Sequence, residues 1–281
     1  MTIVPKIKYL TNKDLLREIH LSKNTYCSFI DPAYGDYDLI VTNLEKLNIR
    51  TIAEAKRNRA AKMSKTAHES AVIAAGKKMP AKEFEMDYRK VQKQDLVFRV
   101  MTFTHVPLAP GRKKTLKNTA DSHDKVNFPP FQHWKYDAND NLVCVGKSHW
   151  QGDLNQGKFS KDHGQMTNNL ARMFIKLCER YATRGNVRGY TYNDEMKGQA
   201  ILQLTQIGLQ FDESKSDNPF AYYTAAVTNS FVRIINLEKR NQNIRDDILE
   251  MNGMNPSWTR QNSGGNGGVA PVVNVNTSDW D

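Results

Sequence analysis

Cysteine is scarce. The 281 residues hold three, Cys27, Cys144 and Cys178, odd in number and unevenly spaced. That pattern argues against a disulfide framework and for reduced thiols in a cytosolic protein. No apolar run reaches membrane-spanning length and no stretch reads as a signal peptide, so no membrane partner is expected. A phosphate-binding glycine loop, a dinucleotide fingerprint and a nucleophile elbow are all missing. The seven histidines are scattered. Only His133, Cys144, His149 and His163 suggest a metal, and their spacing lacks the two close ligand pairs of a zinc site. Asp212, Glu213 and Asp217 share one loop with Lys215 and read as an ordinary turn. No catalytic residue, metal or cofactor is therefore expected. An enzyme hidden in residues 80–165, such as a nuclease, stays open as a rival.

Charge of one sign is abundant. The net charge is +10 and the pI near 9.4, which favours an anionic partner, nucleic acid being the commonest. Two basic runs stand out. Lys56, Arg57, Arg59, Lys62 and Lys65 fall in a helix expected from Thr51 to Lys78. Arg112, Lys113, Lys114 and Lys117 fall in a proline-containing loop. Each run is either a phosphate-facing surface or a solvated face.

Four segments follow one another. Residues 1–79 form a mostly helical basic region, with a short helix opening at Asn12 and a strand at Leu39–Val41. Residues 80–165 mix strands and loops, with a half-buried strand through Phe98, Val100, Phe103 and Val106, a hairpin at Trp134–Val145 turning at Asp137–Asn141 and a loop from Gly146 to Gly164. Residues 166–253 hold three helices. Residues 254–281 form a flexible linker and tail, in which Val272, Val273 and Trp280 suggest a docking peptide or a frayed end.

The three helices organise the rest. Met166–Ala182 places Met166, Leu170, Met173, Phe174, Leu177 and Tyr181 on one face. The second opens at Tyr192–Glu195, with Asn193 as N-cap and Met196, Ile201, Leu204 and Ile207 inward. The third starts at Asn218-Pro219 and meets no strong breaker before Gly253. Phe220, Tyr223, Val227 and Ile234 share one side of it, and Tyr222 points elsewhere, beside Asn229 and Arg233. Rings, amides and cations together suit unpaired bases: rings stack, amides read base edges and cations hold phosphates. A core-packed helix with a solvated basic end is the competing reading.

The order of these parts resembles conserved region 2 of bacterial sigma factors. A helix ending in Gly208-Leu209-Gln210-Phe211-Asp212 is followed by a loop and then Asn218-Pro219-Phe220-Ala221-Tyr222-Tyr223-Thr224. The chain is most similar to the late-transcription sigma factors of T-even-type bacteriophages, through Gly189-Tyr190-Thr191, Glu195-Met196, Phe211-Asp212-Glu213 and Phe231-Val232-Arg233-Ile234. Its middle block, with Phe128-Pro129-Pro130-Phe131 and Ser148-His149-Trp150, looks like the cyanophage versions. The resemblance covers about residues 146–250.

The resemblance implies a mainly α chain: a sigma region 2-like helical domain after a mixed α/β N-terminal half, with a flexible C-terminal tail. It implies a host RNA polymerase core as partner, docked through its clamp coiled coil on Glu195, Gln199, Leu202, Gln203 and Gln206. Gln199 stands where the family carries an acid. It implies that the non-template strand of a melted, A/T-rich −10-like element meets Phe220, Tyr222, Tyr223 and Thr224. Thr228, Asn229 and Arg233 would face the duplex edge, and Lys239, Arg240 and Arg245 the phosphates. Ala225 and Ala226 stand near the place of the paired tryptophans of housekeeping sigma factors. No second helix-turn-helix follows residue 250, and the tail would dock on a sliding clamp or the polymerase flap. The site of action would be the host cell cytoplasm, at the nucleoid.

Overall fold

The computed structural model describes residues 10–77, 79–110 and 122–263. Arg112, Lys113, Lys114 and Lys117, and the tail residues Val272, Val273 and Trp280, lie outside the described residues. The chain forms two compact units. Met1–Leu170 and Ile207–Pro219 make the first; Ala171–Gln206 and Phe220–Asp281 make the second.

The first unit opens on helix α1, Asn12–Asn24, whose Asp14 N–H donates to the capping Thr11 hydroxyl at 3.2 Å. Its inner face is Leu15, Glu18, Ile19, Ser22 and Lys23. Strands β1, Cys27–Phe29, and β2, Leu39–Val41, follow. Helix α2, Ile49–Ala75, begins in a reciprocal capping box between Asn48 and Thr51 and stops at Gly76 in the left-handed region, φ 61°.

Three longer strands complete the sheet: β3, Val97–Met101; β4, Phe131–Tyr136; and β5, Leu142–Ser148. The order is β1-β5-β4-β3-β2, with β2 parallel to β3 and every other pair antiparallel. The β4–β5 hairpin turns where expected. Asp137 Oδ1 accepts from the Asn139 and Asn141 amides, each at 2.8 Å, and Asp140 takes φ 65°.

The sheet corrects the expected fold class. The chain is a mixed α/β protein, not a mainly helical one: a five-stranded sheet fills its N-terminal half and helices its C-terminal half. Strands β2 to β5 fall where strands are expected, but β3 ends at Met101 and is not half-buried: Val97, Phe98, Arg99 and Val100 are all buried. Pairing of β1 with β5, more than a hundred residues later, leaves no local signal. The loop expected from Gly146 is also corrected. Strand β5 runs on to Ser148, and β6, Trp150–Gln151, pairs with β7, Lys158–Phe159.

The two sheet faces differ in chemistry. Phe98 and Tyr136 pack with Ala55, Ala60, Val91 and Leu96 in an apolar core beneath α2. Arg99 and His133, direct cross-strand partners, occupy the other face.

The second unit is helical. Helix α3, Asn168–Ala182, buries Met173, Phe174, Leu177, Cys178 and Tyr181. Helix α4, Asn193–Ile207, buries Met196, Ala200 and Leu204, so that Ala200 and not Ile201 completes its inner face. Helix α5, Pro219–Met251, buries Tyr223, Val227, Phe231, Ile234 and Ile235. Phe174 meets Tyr223 edge-on at 4.8 Å, and Tyr181 meets Phe231 likewise at 4.8 Å. Part of the expected linker is ordered. Helix α6, Trp258–Ser263, is tied to α5 where Asp246 accepts from the Ser257 amide and hydroxyl at 2.9 and 2.7 Å.

Candidate nucleic-acid interface

The outward side of α5 carries the candidate residues that stand closest together. At 100° per residue, Tyr222, Asn229, Arg233 and Arg240 fall within roughly 20° of one line along the helix. All four are exposed. With a rise of 1.5 Å per residue the line runs about 27 Å. Tyr222 is 37% exposed, and partial burial raises its phenol pKa, so it is neutral at physiological pH. Its ring meets Tyr223 edge-on at 5.3 Å, which fixes its tilt.

The other expected DNA-binding residues scatter. Tyr223 is a correction: its ring is fully buried against Phe174 and presents no face to a base. Thr224 is 3% exposed, and its hydroxyl donates to the Phe220 carbonyl at 2.7 Å. Thr228 donates to the Thr224 carbonyl at 2.9 Å, so both hydroxyls serve the helix itself. Phe220 is half-buried. Lys239 and Arg245 lie well off the line, on opposite flanks. Next to Arg245, Asp247 and Glu250 bond Arg260 at 2.6 and 3.0 Å, so the end of α5 is mixed in charge, not basic. The Asp246-Asp247 pair in the sequence was the available sign.

On α4, Glu195, Leu202 and Gln206 are exposed and Gln199 and Gln203 half-buried. Leu202, 51% exposed, is an apolar point among polar neighbours. Asn193 does not cap α4. Its amide donates to the carbonyls of Ala182 and Val187 at 3.1 and 3.0 Å, bracing the turn after α3.

The basic run of α2 divides. Lys62 bonds Asp36 at 3.0 Å and donates to the Tyr37 carbonyl; Asp38 lies 3.9 Å from Lys62 and 3.8 Å from Arg59. Lys65 pairs with Glu69 at 3.3 Å. Arg57 lies over the Tyr88 ring at 5.3 Å. Lys62 is thus committed chiefly to Asp36 and the Tyr37 carbonyl, and Arg59 faces the fully buried Asp38 carboxylate.

The loop read as an ordinary turn holds a buried ionic cluster instead. Arg99, with no exposed surface, donates to Glu213 at 2.6 Å and to His133 at 3.0 Å, and its third nitrogen lies 3.0 Å from His20 Nδ1. Its guanidinium is sandwiched between the rings of Tyr37 and Phe131, at 3.9 and 3.8 Å. Lys23 donates to the Phe211 carbonyl at 2.7 Å and lies 3.4 Å from Glu213. Burial holds the His20 pKa down at about 3, and burial followed by the charge of Arg99 holds His133 well below the usual range. Both rings are neutral acceptors. The cluster anchors Ile207–Pro219 to the sheet.

His149, fully buried at φ 51°, packs on Phe128 at 4.0 Å, and His163 lies 6.0 Å from the Tyr26 ring. Cys144 donates weakly to the Gly146 carbonyl. Among the described residues no group of three or more His, Cys, Asp or Glu side chains is placed to hold a metal ion. No helix among them is long and apolar enough to cross a membrane. No family model, no curated protein and no solved structure matches this chain.

Proposed function

We propose that this chain is a phage-encoded promoter-specificity subunit of a bacterial RNA polymerase. It joins the core enzyme through the outward face of α4 and holds the melted strand of an A/T-rich −10-like element on the outward face of α5. The observation that carries the reading is the line of Tyr222, Asn229, Arg233 and Arg240: one ring to stack, one amide to read an edge and two guanidinium groups to hold phosphates. The resemblance of residues 146–250 to late phage sigma factors supports the same reading. On it, the protein works in the host cytoplasm at the nucleoid and carries out no catalysis of its own. The linker and tail beyond α6 would dock on a sliding clamp or the polymerase flap.

Run-off transcription tests it. Core polymerase plus this protein initiates on an A/T-rich late-phage promoter, and Glu195→Ala or Tyr222→Ala abolishes initiation. Absence of core binding sinks the proposal. A second reading has one observation in its favour: burial of Tyr223 and Thr224 leaves Tyr222, itself partly buried, as the one exposed ring at the start of α5. That suits a polymerase-binding co-activator or inhibitor with no promoter recognition, whose activity survives Tyr222→Ala and Arg233→Ala.

A further inference from the structure

One line of α5 changes character half-way along. Phe220, Tyr223, Val227, Ser230, Ile234, Leu237, Asn241, Ile244, Ile248 and Met251 alternate steps of three and four, the spacing of a coiled-coil seam. From Tyr223 to Ile234 the seam is buried within the second unit. Beyond that it lies open: Leu237 is 47% exposed, Ile244 47%, Ile248 53% and Met251 86%. Helix α6 does not cover it. Its anchors reach α5 through Gln242, Asp246, Asp247 and Glu250, on another side or flank.

We infer that residues 237–251 pair with the same residues of a second copy of this chain, as an antiparallel two-helix seam. The flanking charges select that occupant and that direction. Set Asn241 opposite Ile244 and Leu237 opposite Ile248 of the other copy. Arg240 then falls beside Asp247, and Glu238 beside Arg245, and the two-fold axis repeats both pairs. A parallel alignment instead sets Arg240 against Arg245. Shifting the antiparallel alignment by one heptad sets Arg245 against Arg245 or Arg240 against Arg240. Only one alignment makes four opposite-charge pairs and no like-charge pair.

The remaining details suit it. Asn241 already donates to Glu238 at 3.2 Å, so its amide has a partner at the seam's edge. Asp247, bonded to Arg260, keeps 59% of its side chain exposed for a second cation. The helix is formed before association, so no nucleation cost opposes so short a seam. The pairing rests on no part of the polymerase reading. Because it engages Arg240, self-association and nucleic-acid binding compete for one arginine.

Sedimentation equilibrium of the full chain tests it, from micromolar to millimolar concentration. The apparent mass rises from 32.1 kDa towards twice that value, and less so at high salt. Arg245→Glu, on an exposed side chain, raises the dissociation constant about tenfold, and adding Glu238→Lys restores it. Direction is read by mild oxidation: Asn241→Cys chains mixed with Ile244→Cys chains cross-link more than either alone. A chain that stays monomeric throughout overturns the inference. So does preferred cross-linking of Asn241→Cys to itself, which marks a parallel pair. So does a dimer that forms only after residues 264–281 are removed, because the tail would then be the occupant.

Discussion

Arg99 donates to Glu213 at 2.6 Å across 114 residues of chain, with the arginine side chain wholly buried and that of Glu213 8% exposed. The pair fastens the loop Ile207–Pro219 to β3, a strand far from it in sequence. Removing the carboxylate leaves Arg99 and Lys23 buried without their nearest counter-charge. Glu213→Ala is therefore expected to cost about 3–5 kcal/mol, the range for breaking a buried pair from one side. Urea unfolding checks it. A loss below about 1 kcal/mol would mean that water or another acid replaces Glu213.

Acid should weaken the protein well above the pH at which carboxylates protonate. His20 and His149 are held at about 3 and His105 at about 4, chiefly by burial; His133 lies well below its usual value. In the unfolded chain all four titrate near 6.5. Between pH 6.5 and about 4 the unfolded state binds more protons, so stability falls as pH falls. Each group adds a slope of up to about 1.4 kcal/mol per pH unit. Asp38, raised by its own burial, works in the opposite sense and offsets part of this. Unfolding midpoints measured from pH 7 to 4.5 should drop steadily; a flat profile would contradict the burial of these rings.

The helices were legible because their signals are local. Leu170, Met173, Phe174, Leu177 and Tyr181 repeat at helical spacing and are all buried, and Pro219 and Gly253 bracket α5 as read. The hairpin at Asp137–Asn141 was legible through its turn chemistry. What escaped depends on partners distant in sequence. Arg99 looks like a surface residue until His133, Glu213 and His20 surround it. The candidate site was half legible. Helical periodicity set Tyr223 with Val227 and Ile234 and turned Tyr222 away, as their burial bears out, whereas the resemblance implied both rings for the strand.

That neighbouring pair gives the sharpest test of the α5 surface. Tyr222→Ala should weaken binding to a single-stranded −10-like oligonucleotide by about 1–3 kcal/mol, one stacked base, and leave stability nearly unchanged. Tyr223→Ala should do the reverse, destabilising the second unit by about 3–5 kcal/mol through the cavity beside Phe174. Arg233→Ala should lower the salt dependence of binding by about one unit of slope. Fluorescence anisotropy beside thermal melts separates the effects. Equal loss of binding in both tyrosine variants, with both folded, would place the strand elsewhere.

The basic run on α2 is open to the same separation. Lys62 is 41% exposed and shares Asp36 and the fully buried Asp38, which also accepts the Val97 amide at 3.0 Å. Removing Lys62 leaves Asp38 the Val97 amide and one cation, Arg59, at 3.8 Å. Lys62→Ala should therefore cost stability, about 1 kcal/mol after allowing for its exposure, and leave the salt dependence of nucleic-acid binding unchanged. Arg57→Ala, by contrast, removes an exposed cation resting on Tyr88 and should leave the unfolding midpoint nearly where it was. If Lys62→Ala instead lowered the salt slope by about one with no loss of stability, the run would be a phosphate contact and its ion pairs incidental.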